Sequence, residues 1–254
     1  MTPANSAPVG SVGAILCVMH RFGRYPASLI ALAFTDCTKG PHEMRANAEA
    51  PMTDPAPAVP TSADAEFLEA AQRGDLEATK HALARGANVE ARDSLRRTGL
   101  TLAVVSDSVD LARVLIARGA SPNALDARHD TPWLLTGETG SVAMVEALLP
   151  GKPDFAIVNR YGGISVIPAS ERGHVEYVRR VVKLPIDVNH VNNLGWTALL
   201  ECVLLGDGSR KYQEIAQILK DAGADVHISD RDGVDAIEHA RRKGYHEIVN
   251  ILSR

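Results

Sequence analysis

Two sets of landmarks repeat along this chain with one step, and no other feature restricts its fold as tightly. Asp93 in ARGANVEARD, Asp126 in ARGASPNALD, Asn159 in DFAIVN and Asn192 in DVNHVN are each 33 positions apart. The next member, Asp230 in GADVHISD, comes 38 positions later, and the five extra residues fall around GDGSR. A second ladder, Gly74, Asp107, Gly140, Gly173 and Gly206, keeps the same step, with Gly244 following after the insertion. Two independent ladders with one period define an array of repeats, not a single irregular domain.

Within each period the apolar residues follow a helix. Val175, Val178 and Val182 fall at steps of three and four, and Leu111, Val114, Leu115 and Ile116 do likewise. Gly74, Gly140, Gly173 and Gly244 separate two helical stretches, where a reversing chain wants a positive φ; Asp107 tolerates that region better than most residues. Gly86, Gly119 and Gly223 follow the second helix, and Lys152 and Pro185 hold the same slot in two other repeats. Ordering 33 residues at about 1.5 kcal/mol each needs roughly 2,000 Å² of apolar burial at about 25 cal/mol/Å². A flat helix pair buries that much only between neighbours, so the repeats must stack into an elongated, curved solenoid.

The period and grammar resemble the ankyrin repeat, whose pattern runs D-x-x-G-x-T-P-L-H-x-A-A-x-x-G-H, then an apolar helix, then G-A-D. Here DTPWLLTGETGS, GWTALLECVLLGD, RGHVEYVRRVV and DAGADVH carry it. RYGGISVIPASERGH and NNLGWTALLECVLLGDG look like a group of small bacterial proteins built almost only of such repeats and without assigned activity. The resemblance implies an all-α solenoid of about six stacked helix pairs with β-hairpin fingers. Its repeats are 61–93, 94–126, 127–159, 160–192, 193–230 and 231–254. It also implies a monomeric, non-enzymatic scaffold that binds another protein through finger tips and the concave first-helix face, with no cofactor. A regulatory or immunity-type steric inhibitor in the cytoplasm is the alternative use of the same scaffold.

Carried over position by position, the variable finger residues are Arg96 and Arg97, Arg128 and Asp130, Arg160 and Tyr161, Leu194 and Trp196, and Arg231 and Asp232. Glu138, Glu171 and Arg172 come from the first helices. Tyr161, Trp196 and Arg160 are the residue types that dominate binding energy at interfaces. Trp196 has a second reading as a residue lying over its own hairpin. Arg96, Arg128, Arg160 and Arg231 read either as a basic stripe for an acidic partner or as ordinary solvated arginines.

The chemistry-bearing residues lead nowhere else. Gly163-Ile164-Ser165 begins like the turn that presents a nucleophilic serine, and His174 follows nine residues on, as a hydrolase would need. That motif fails at Ile167 and lacks a preceding strand. In the repeat register Ser165 holds the proline slot and His174 is the G-H histidine that starts the second helix. Trp133 holds a leucine slot and reads as core. Three cysteines, Cys17, Cys37 and Cys202, give neither a disulfide framework nor a zinc spacing. A formal net charge of −4 without a Lys/Arg cluster gives no footprint for nucleic acid.

Residues 1–60 are a different kind of chain, holding eight of the fourteen prolines and no apolar period. From Met19, a basic start at Arg21 and Arg24 and the apolar run Tyr25–Phe34 resemble a bacterial export signal. Cys37 then stands where lipoproteins carry their lipid, although Asp36 replaces the small residue expected before it. That reading places the protein in the cell envelope, with a membrane contact only through the lipid. The plainer reading is a disordered N-terminus and a cytoplasmic chain. Folded structure is expected from Thr61-Ser62-Ala63-Asp64, which has the form of a helix capping box.

Overall fold

The computed structural model describes residues 61–254; the export and lipidation reading, with Cys37, lies outside the described residues. Among those described, twelve α-helices form six antiparallel pairs. They are α1 Ser62–Gln72 and α2 Leu76–Ala84, α3 Gly99–Val105 and α4 Val109–Ala117, α5 Pro132–Thr139 and α6 Val142–Leu148, α7 Val166–Arg172 and α8 Val175–Val181, α9 Ala198–Leu205 and α10 Arg210–Asp221, and α11 Ala236–Arg242 and α12 His246–Leu252. First helices pack in the series α1, α3, α5, α7, α9, α11, and second helices in the series α4, α6, α8, α10, α12.

The period that ordered the sequence also orders the core. Phe67, Leu100, Trp133, Val166 and Leu199 stand one on each of α1, α3, α5, α7 and α9 and are all at most 1% exposed. Ala82, Leu115, Leu148, Val181, Leu219 and Leu252 stand one per second helix and are at most 3% exposed. Each layer therefore covers its neighbour, and no pair has a core of its own.

Helix starts follow the threonines. Thr61 and Asp64 form the expected capping box, and Thr98, Thr131, Thr197 and Asp235 cap their helices through side-chain oxygens. Repeat four departs, because Ile164 stands where repeats two, three and five have threonine. There α7 begins one residue late, and Ser165 is already α-helical (φ −57°) without capping it.

Helix ends follow the left-handed residues: φ is +68° at Gly74, +50° at Asp107, +73° at Gly140, +76° at Gly173 and +72° at Gly244. Gly206 is the exception. It is extended at φ −73°, and the positive φ of this turn falls on Gly208, at +72°. The insertion lengthens this turn and gives α10 twelve residues, where the other second helices have seven to nine.

Polar side chains also tie one layer to the next. His174 Nε2 donates to the Glu138 carbonyl at 3.1 Å, and the Tyr212 hydroxyl to that of Glu171 at 2.9 Å. The Tyr245 hydroxyl and Lys243 Nζ reach the carbonyls of Gly206 and Leu204, at 3.0 and 2.6 Å. All four carbonyls lie at or just beyond first-helix C-termini, which have no intrahelical partner to offer them.

Candidate interaction surface

Each finger is made by a single Asx side chain. Oδ1 of Asp93, Asp126, Asn159, Asn192 and Asp230 accepts the N–H groups two and four residues on, at 2.7–3.1 Å. The backbone N–H of the same residue donates to the carbonyl four residues on, at 2.9–3.0 Å. The first ladder in the sequence is thus the set of residues that closes the five fingers, numbered two to six after the repeats they open. Among the described residues one antiparallel bridge, Arg92 to Thr98, accompanies them. The fingers reverse the chain as expected, held more by side-chain caps than by paired strands.

The fourth position of each finger must take a positive φ. Gly162, Gly195 and Gly233 fill it at +71°, +85° and +74°, while fingers two and three place Arg96 and His129 there at +58° and +61°. Adjacent fingers are joined directly. The Ala127 N–H donates to the Leu95 carbonyl, and that of Asn193 to Tyr161, both at 2.9 Å.

Finger four carries an exposed arginine–tyrosine pair. Its Arg160 guanidinium lies 4.6 Å from the centre of the Tyr161 ring, and Nη2 donates to the Tyr161 hydroxyl at 3.0 Å. Arg160 Nη1 also stands 3.9 Å from Asp130 Oδ2. Burial works to lower the Arg160 pKa, and contact with Tyr161, Asp130 and Glu138 outweighs it. Tyr161 is 40% exposed. Leu194 and Trp196 on finger five are half-buried, and Trp196 packs on the core edge.

The other expected contact residues divide. Arg128 and Asp232 are exposed at finger tips. Arg231 is exposed but donates through Nη2 to the Asn193 carbonyl. Asp130 is buried at 3%, between Arg128 and Arg160, so it serves the floor of the surface and not its rim. Glu171 and Arg172 are half-buried at the end of α7. Sequence reasoning passed over Leu95, 49% exposed at the tip of finger two, and the row Leu125, Val158 and Val191. That row was legible as one apolar residue before each of Asp126, Asn159 and Asn192.

The serine and histidine of the hydrolase reading serve other partners. Ser165 is 2% exposed and hydrogen-bonds the Tyr177 hydroxyl, which also shares a 2.7 Å bond with Thr136 Oγ1. Burial pushes the Tyr177 hydroxyl up to about 12, so it stays protonated within this closed group. Burial likewise holds the His174 imidazole below its ordinary value, against the opposing bond to Glu138. Cys202 is a buried free thiol raised to about 12 by burial, the small core residue expected in α9.

No family model matches the chain. It is 36% identical to the ankyrin-repeat protein YahD of Escherichia coli (strain K12), over 74% of this chain and 94% of that protein. The crystal structure of an ankyrin repeat domain from Acinetobacter baumannii is 42% identical with a TM-score of 0.71, covering 74% of this chain and 95% of that one. Human NF-kappa-B inhibitor alpha is 31% identical over 104 residues, 39% of this chain and 33% of that protein.

Proposed function

The chain belongs to the ankyrin-repeat family, whose members generally mediate protein–protein interaction, and on that premise we propose that it is a non-enzymatic scaffold binding one partner across fingers four and five. The observation that carries this reading is the Arg160–Tyr161 pair. It is a cation and an aromatic ring, held together before any partner arrives, on an exposed tip beside Leu194 and Trp196. Such residue types dominate interface energies, and a side chain already ordered loses less entropy on binding. Glu171 and Arg172 extend the surface onto the first-helix face, and Arg128, Arg231 and Asp232 edge it.

A steric inhibitor is the second reading. It is favoured by the identity to NF-kappa-B inhibitor alpha, by its name an inhibitor of another protein.

The test is partner capture from the native cells by the wild-type chain and by a Tyr161→Ala/Trp196→Ala double variant. The variant is expected to lose at least about tenfold in capture, roughly 1.4 kcal/mol or more, with its helical circular dichroism unchanged. Unaltered capture would show that another face is used.

A further inference from the structure

Fingers two and three differ from the others in a way that their own folding does not require. The same Asx ring closes all five, and three of them use glycine at the left-handed position. Arg96 and His129 take that conformation despite their β-carbons, which bring strain that glycine avoids. Neither side chain makes a hydrogen bond or ion pair among the described residues, and both are exposed. A strained side chain that holds nothing inside its own protein is a candidate for holding something outside it.

The surroundings define what that would be. The Arg128 side chain, next to His129, is 55% exposed, and among the described residues its one ionic contact, to Asp130, is 3.9 Å long. Arg160 and Arg231 are by contrast occupied, on Tyr161 and on the Asn193 carbonyl. Among the finger residues, basic groups open to a partner thus gather on fingers two and three. The same two fingers carry Leu95 and Leu125, 49% and 39% exposed, and are joined by the Ala127–Leu95 bond. We propose that this patch, Arg96, Arg128 and His129 around Leu95 and Leu125, docks an acidic protein segment in which carboxylates flank an apolar side chain. The inference rests on the scaffold reading and adds the chemistry of the partner. The leucines disfavour a nucleic acid, which offers nothing to cover them.

The probe is a labelled short peptide alternating glutamate with leucine, read by fluorescence anisotropy on the full chain. Controls are the same peptide with glutamine for glutamate, a single-stranded oligonucleotide and vesicles of anionic lipid. The peptide is expected to bind, to weaken as salt is raised, and to lose about tenfold in affinity with Arg96→Gly/His129→Gly. That double variant should meanwhile melt at a higher temperature than wild type, because strain is relieved. A purely structural role could not combine higher stability with lost binding. Arg96→Asn/His129→Asn, which also tolerates the left-handed region, should show the same loss if the glycine chain folds poorly. The Tyr161→Ala/Trp196→Ala chain should bind the peptide as wild type does, which separates this patch from the scaffold reading. No binding, equal binding by the Arg96/His129 variants or by the glutamine peptide, or tighter binding of the oligonucleotide or vesicles would each overturn the proposal.

Discussion

Gly137→Ala is expected to cost the protein about 3 kcal/mol, the upper end for a single overpacked position. Gly137 lies in α5, and a β-carbon there would stand 2.0 Å from the Ser165 carbonyl oxygen. That neighbour is backbone, so no side chain can turn aside to make room. In adjoining repeats the same position holds Val104, Ser170 and Val203, all buried. Repeats three and four have therefore exchanged a side chain for closer approach of two backbones. The cause lies in Ile164, which leaves α7 without a threonine cap and places Ser165 in helical conformation against α5. The Thr136, Tyr177 and Ser165 hydroxyls then satisfy one another in the space around it. Urea titration followed by circular dichroism should show the loss, and Gly163→Ala is the matched control. A β-carbon at Gly163 meets no atom nearer than Asn159 Oδ1 at 3.5 Å, so its stability should be close to wild type. Equal stability of the two variants would mean that the layers are not in this contact.

Trp133→Ala should cost about as much or more, roughly 3–5 kcal/mol. Its indole is 1% exposed and meets Phe155 edge-on, with ring centres 5.0 Å apart. The slot holds Leu100, Val166 and Leu199 in neighbouring repeats, so the larger ring fills additional space toward Phe155. The indole Nε1 is buried without a hydrogen-bond partner among the described residues, a cost already present in the native state. Trp133→Leu should for that reason recover part of what alanine loses, leaving a gap beside Phe155. Thermal melting separates the cases: a fall of roughly 10 °C for alanine and a smaller one for leucine. Identical melting of alanine and wild type would remove Trp133 from the core.

The stack was legible because its physics is periodic. Asp93 predicts Asp126 and Asn159 for the reason the structure displays: each closes a finger by accepting two backbone N–H groups. The helix ends were legible where glycine or Asp107 takes a positive φ. Gly206 was not, because an insertion frees the register to slide and the left-handed residue became Gly208. The interaction surface was legible in its positions but not in its occupancy. Letters alone do not distinguish Arg96, its side chain unengaged among the described residues, from Arg231, hydrogen-bonded to the preceding finger, or the buried Asp130 from the exposed Asp232. Those differences arise between repeats, where one finger meets the next.

Site-specific photocrosslinking tests the scaffold account most directly. A benzophenone amino acid would replace Tyr161 on finger four in one chain and Arg179, on the exposed side of α8, in another, each expressed in the native cells. The account predicts a discrete protein adduct from position 161, lost when Trp196→Ala is added, and none from position 179. The same adduct from both positions, or one from 179 alone, would contradict it.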